Sequence, residues 1–247
     1  MFTRIVIIVL AAVAAYAEPP AGYKLVWSDE FDGSTLDTNK WFYRTGARLL
    51  SFQKPENVSV TNGWLRLALK KEEVGKLYYT AGGVISKQEF TYGWFEARFR
   101  CPKQAGWHTS FWTMKAGKPR TQELDFCEQD SANNRSYSAG AIDQSGKKPV
   151  NYGRKYFYTP REEVPDFAAD FHVWACEFTP TVVKFFLDGK LTHETDAMKF
   201  PHGPQSVWLT SVAALWGKPV SPKKMDDVGL PAFADFDWVR VYEMKSP

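Results

Sequence analysis

Three cysteines in 247 residues (Cys101, Cys127 and Cys176) are too few, and odd in number, for a disulfide framework. At most one bridge could form, between partners that the spacing does not identify, and buried free thiols are the simpler state. No Cys-x-x-Cys pair and no two histidines at ligand spacing occur, which argues against a metal site of the zinc-ribbon kind. The charge is nearly balanced, 31 Lys and Arg against 28 Asp and Glu, with no basic block or tail. That excludes a dedicated nucleic-acid binder. The chain also lacks linkers, internal repeats and low-complexity tracts. Beyond its first residues no apolar run approaches the about 20 residues needed to span a bilayer.

What the chain has in excess is aromatic side chains: 10 Trp, 11 Tyr and 18 Phe, within a hydrophobic fraction of 44%. This is ample for a packed core and excludes disorder as the main state. Aromatics beyond the needs of that core suit a groove that stacks the flat faces of sugar rings. At the start, Arg4 precedes the apolar residues 5–15, and Ala15-Tyr16-Ala17 forms a small-x-small site. The expectation is a signal peptide over residues 1–17, cut after Ala17. Residues 18–247 would then form one domain, secreted or periplasmic, monomeric and free of the membrane.

Alternation of period two runs through most of the chain. In residues 94–101, Phe95, Ala97, Phe99 and Cys101 fall on one face and Glu96, Arg98 and Arg100 on the other, as in a half-buried strand. Residues 23–28, 171–178, 182–187 and 234–243 read as further strands. Asp188-Gly189 and Asn62-Gly63 are two-residue hairpin turns, linking 182–187 to 190–194 and 57–61 to 64–71. A short helix is expected only at 160–170, and Pro165 limits it. The polar stretch 143–165 reads as a long loop bearing a short strand, and its Lys147, Lys148, Arg154, Lys155 and Arg161 make it basic. Many short strands with closely spaced turns predict an all-β sandwich or barrel.

The chemistry concentrates in Glu123-Leu124-Asp125-Phe126-Cys127-Glu128. On a strand, residues i and i+2 share a face, so Glu123 and Asp125 point one way while Leu124 and Phe126 point into the core. Glu128 falls out of phase unless one extra residue, expected at Cys127, is absorbed in a β-bulge. Three carboxylates would then line one face. Retaining glycosidases need two carboxyls about 5–5.5 Å apart, one as nucleophile and one as acid/base. The two Glu side chains can lean together, and the Asp between them can hydrogen-bond the nucleophile. The added negative charge would hold the second Glu protonated. From spacing alone, a solvated acidic strand or a calcium site is an equal alternative.

Glu-x-Asp-x-x-Glu resembles the active-site strand of glycoside hydrolase family 16 in its bulged form, as in laminarinases, agarases, porphyranases and κ-carrageenases. The resemblance extends to Leu25-Val26-Trp27-Ser28-Asp29-Glu30-Phe31-Asp32-Gly33, Tyr92-Gly93-Trp94-Phe95-Glu96-Ala97-Arg98, Ser110-Phe111-Trp112, Phe171-His172-Val173-Trp174 and the stretch from Phe236 to Tyr242. It implies an antiparallel two-sheet β-jelly-roll sandwich of the concanavalin A-like kind, with a concave substrate cleft. It also implies an endo-acting, retaining hydrolase of internal β-glycosidic bonds in a β-glucan or galactan. Carried over by position, Glu123 is the nucleophile, Asp125 its helper and Glu128 the acid/base. Trp112, Trp107, His108, Asn57 and Trp216 are candidate contacts to a polysaccharide or oligosaccharide. No cofactor is expected. Glu30 and Asp237 lie where family members hold a structural calcium, but their signal does not amount to a metal site. Departures from the family pattern (His108 where a Trp is common, no His in residues 139–143, and Ala214-Leu215-Trp216-Gly217 in place of a glycine-rich turn) bear on sugar specificity. Two alternatives remain: a non-catalytic lectin on the same fold, which has no need of three adjacent acids, and a transglycosylase.

Overall fold

The computed structural model describes residues 19–215 and 225–245, so the expected signal peptide and Trp216 lie outside the described residues. The fold is a jelly roll of two sheets. Among the described residues the only helical segments are the 3-10 turns Pro55–Asn57 and Ala197–Lys199. The larger sheet has 11 strands, centred on Gly93–Arg100 and Ala232–Met244. The smaller has seven, in the order Val150–Tyr158, Ser136–Asp143, Gln122–Asp130, Trp107–Met114, Gln205–Ala213, Gly83–Phe90 and Trp41–Tyr43. Among the described residues pairing is antiparallel except where Ser51–Gln53 runs parallel to Leu77–Ala81.

Alternation places the core between the sheets. Phe95, Ala97, Phe99 and Cys101 are all buried, and Phe99 stacks on Trp174 and Phe236 at 4.1 and 4.7 Å between ring centroids. From the smaller sheet, Phe111, Leu124, Phe126 and Leu209 meet that layer. Each such side chain contributes about 1.5–3 kcal/mol through burial. A smaller apolar cluster, including Leu69, Trp107, Ala213 and Met225, fills one end. Cys101, Cys127 and Cys176 are free and buried.

The hairpin turns form as the sequence predicts. Asn62 and Gly63 have φ of 54° and 75°, and Asp188 and Gly189 have 46° and 80°, the left-handed values that a two-residue turn requires. Residues 160–170, expected to hold a helix, carry turns and irregular backbone instead. Thr159 Oγ1 meets the carbonyls of Glu162 and Val164, and Asp166 accepts from the amide of Ala168. Side chains thus take the backbone groups that a helix would have used. The basic loop carries not a short strand but the nine-residue edge strand Val150–Tyr158.

Candidate active site

One face of the seven-stranded sheet is the floor of a cleft of about 1170 Å³. His108, Ser110, Trp112 and Met114 reach it from one strand, Glu123, Glu128 and Asp130 from the next, and Trp208, Thr210 and Val212 from a third. The in-between residues Phe111, Leu124 and Leu209 point to the core.

The bulge exists, but its extra residue is displaced from the one expected. Against Trp107–Met114, Phe111 faces Cys127 and Trp112 faces Asp125, so Phe126 is the unpaired residue. On the other side, Phe126 and Cys127 together span the step from Gly140, opposite Asp125, to Ser138, opposite Glu128. Packing explains the displacement. Phe126 fills the space between Phe95 and Phe111, at 5.3 and 4.8 Å, while Cys127 keeps its cross-strand place. Two consecutive side chains turn inward, and Glu128 returns to the cleft.

The three acids have different surroundings. Gln144 Nε2 donates to Glu123 Oε2 at 2.7 Å. Asp125 is 1% exposed, and burial together with the neighbouring Glu123 charge pushes its carboxyl well above the usual range. Sequence reasoning placed a raised pKa on a glutamate; burial also raises that of Asp125, which lies deepest of the three acids. The neighbouring Glu123 carboxylate, second only to burial, raises the Asp125 pKa, and it outweighs the opposing pull of Arg154. Glu128 has three partners, of which Ser138 Oγ, at 3.5 Å from Oε2, is the most distant. His108 Nε2 is 3.1 Å from Oε1, and Arg154 forms an ion pair with Oε2. Arg154 also donates to Asp125 Oδ2 at 3.1 Å and to Ser138 Oγ at 3.1 Å. Gly140 makes this approach possible, since a Cβ there would lie 2.5 Å from the Arg154 Cα.

Of the predicted contact residues, Trp112 and His108 line the cleft. The Trp112 indole donates to Thr210 Oγ1 at 3.0 Å and packs against Trp208 at 4.7 Å. Trp107 does not reach the cleft. It is 1% exposed and packs edge-on to Tyr79 in the smaller apolar cluster. Asn57 is also buried, and donates to the carbonyl of Ala81. Glu30 and Asp237, the calcium candidates, are ion-paired with Arg240 and Arg98.

Sequence reasoning missed Arg154, Gln144, Trp208 and a group of arginines. Arg44 lies 5.3 Å from the Trp208 ring and 5.9 Å from that of Trp112. Burial, then the like charges of Arg48 and Arg120, pull its pKa down to about 10, against the opposing pull of Glu123. Arg48 and Arg120 line the same cleft, and among the described residues none of the three is ion-paired.

A jelly roll with adjacent carboxylates on the floor of an open cleft defines a glycosidase, an enzyme that hydrolyses O-glycosyl bonds. Residues 25–244 match the family model described as beta-porphyranase A-D, GH16 domain. The chain belongs to glycoside hydrolase family 16 and is an endo-acting hydrolase of O-glycosyl bonds. It is 28% identical over 89% of its length to a beta-glucanase from Rhodothermus marinus, covering 85% of that protein. Beta-porphyranase E from Zobellia galactanivorans is 27% identical over 91% of this chain and 90% of its own. Among solved structures, the endo-beta-1,3-glucanase from Pyrococcus furiosus superposes with a TM-score of 0.79, at 26% identity over 95% of this chain and 100% of that one. Some curated relatives are longer, and the chain spans 38% and 36% of two of them.

Proposed function

We propose that the protein hydrolyses internal β-glycosidic bonds of an acidic galactan with retention of configuration. Glu123 would be the nucleophile, Asp125 its protonated helper and Glu128 the acid/base. The observation that carries the mechanism is the bulge, which turns Glu123, Asp125 and Glu128 toward one side of a single strand. In the first step Glu123 attacks the anomeric carbon while Glu128 protonates the departing oxygen. In the second, Glu128 takes a proton from water, which displaces Glu123. Asp125, protonated, would donate a hydrogen bond to Glu123 and hold it in place.

Support for an acidic substrate comes from Arg44, Arg48 and Arg120, cations gathered in the cleft without carboxylate partners. An anionic substituent on a sugar would complete them. The porphyranase-type family model points the same way, toward porphyran. Export after cleavage at Ala17 fits a polymer too large to enter a cell.

The test is nuclear magnetic resonance of the first product released from a panel of porphyran, agarose, carrageenan, laminarin, lichenan and mucin glycans. The expected result is the retained anomer, formed fastest from porphyran. An inverted first product would remove the nucleophile role from Glu123. Preference for neutral laminarin would remove the acidic-substrate reading.

A further inference from the structure

Resting on the assignment of Glu128 as acid/base, we infer that His108 and Asp130 are positioning residues which make the acid/base a two-group unit, with Glu128 and His108 sharing one proton. The geometry is a cross-strand chain. His108 lies directly opposite Asp130, and Ser110 opposite Glu128, so all three side chains project from neighbouring positions on the cleft face. Asp130 Oδ1 is 2.7 Å from His108 Nδ1, and His108 Nε2 is 3.1 Å from Glu128 Oε1. Asp130 thus fixes the ring with a proton on Nδ1 and leaves Nε2 aimed at Glu128.

The need for such a unit comes from Arg154. A general acid must start with a proton, but an arginine on the Glu128 carboxylate favours its loss. His108 gives that proton a second place to reside. Asp130 on one ring nitrogen and the Glu128 carboxylate on the other give each nitrogen an acceptor for a proton, and Nε2 lies 3.1 Å from the oxygen that must deliver it. The proton balance is simple. One proton leaves the Glu128–His108 unit for the departing sugar oxygen, and one returns from the attacking water. Two such interacting groups titrate as a pair, and the last proton is lost at a higher pH than a lone glutamate would allow.

The other groups around His108 fit this account. On the acid strand, Asp125 also feels the His108 charge. The Val150–Tyr158 strand presents Arg154 and Tyr156 to the cleft. Gln205–Ala213 places uncharged Val212 opposite the ring, and the far wall brings Arg44 and Arg48.

The experiment has two arms on the full protein. The first follows the ring protons of the four histidines (His108, His172, His193 and His202) by nuclear magnetic resonance across pH, in the native protein and in Glu128→Gln. The His108 signal is identified by its loss in His108→Gln or, if that variant does not fold, by its displacement in Asp130→Asn. The expected outcome is a midpoint lowered by about one pH unit or more once the carboxylate is gone. An unmoved midpoint overturns the inference.

The second arm measures kcat and KM against pH on the polymer that the native enzyme cleaves fastest. In Asp130→Asn and His108→Gln the basic limb should move to lower pH by about one unit or more, with kcat lowered and KM little changed. A limb superimposable on the native one would overturn the inference, as would a rise in KM alone. Failure of the inference is separable from failure of the assignment beneath it. If the native enzyme inverts, or Glu128→Gln stays active, the acid/base assignment fails whatever the histidine signals show.

Discussion

Arginines on the two faces of this molecule are treated in opposite ways. On the outside of the larger sheet they are neutralised. Arg66 and Arg100 share Asp235, Arg98 pairs with Asp237, and Arg240 with Glu30. Several also lie over rings, as Arg66 does over Phe233 at 4.5 Å and Arg240 over Trp238 at 4.2 Å. In the cleft, Arg44 is repelled by Arg48 and Arg120 and lies beside the Trp208 and Trp112 indoles, and among the described residues none of the three is ion-paired with a carboxylate. Charges satisfied within the chain hold the fold together, whereas the cleft arginines, under the proposed function, would be completed by an anion on the substrate. The comparison locates function by electrostatic imbalance, not by the presence of charge.

The largest expected effect lies on the cleft side. Glu123→Gln should abolish turnover, with a loss of several orders of magnitude in kcat and an unchanged circular dichroism spectrum, because an amide cannot form the glycosyl ester. Asp125→Asn should lose less, since Asp125 acts through Glu123. It should also raise the melting temperature at neutral pH. A buried acid whose pKa is raised in the folded state contributes stability only at low pH and loses it as pH rises toward the folded value, and an asparagine does not titrate. A melting temperature that fell, together with activity lost as completely as in Glu123→Gln, would contradict this ordering.

Next in size is Arg48→Ala combined with Arg120→Ala. On an acidic polymer kcat/KM should fall by about ten- to a hundredfold, roughly 1.4 kcal/mol per decade. The loss should appear mainly in KM and shrink at high salt. Equal losses on neutral and acidic polymers would erase the contrast between the faces.

On the outer face, Asp235→Asn should cost about 1–3 kcal/mol in denaturant unfolding, because it leaves two partly buried arginines without their shared carboxylate. Activity per folded molecule should not change. If activity fell while stability held, the division of labour would be wrong.

The smallest effect concerns His193, which is stacked on Phe185 at 4.5 Å. Burial, then Lys155, pull its pKa down to about 4 from 6.5. The unfolded chain therefore takes up the proton first. The stability linked to His193 is complete above about pH 6.5 and is lost as pH falls toward about 4. His193→Gln should flatten that part of the stability curve, measured by thermal melts between these limits.

The period of two made the strands legible, and turn chemistry made the hairpins legible. Glu123, Asp125 and Glu128 were readable as a set because a carboxylate triplet needs one bulge and no distant partner. Trp107 illustrates a signal present but unused. Residues 108, 110 and 112 share the cleft face, so residue 107 must face the core, where it lies. Trp208 left no such trace, because every residue from Gln205 to Ala213 is buried and the alternation is lost. Arg154 was beyond reach for another reason. Its contact with Glu128 depends on the register of three neighbouring strands and on Gly140, a close approach that no local pattern encodes.

The bulge at Phe126 and Cys127 also bears on how such a strand can change in length over its history. Elsewhere along Gln122–Asp130, deleting one residue would exchange cleft and core for everything beyond it. At the bulge the parity is already doubled, since both side chains face inward. Losing one of them there would restore a regular strand and keep Glu128 over the cleft, at the cost of one core side chain. This short segment can therefore gain or lose a residue without overturning the catalytic face, and length variants that keep all three acids over the cleft should be sought there.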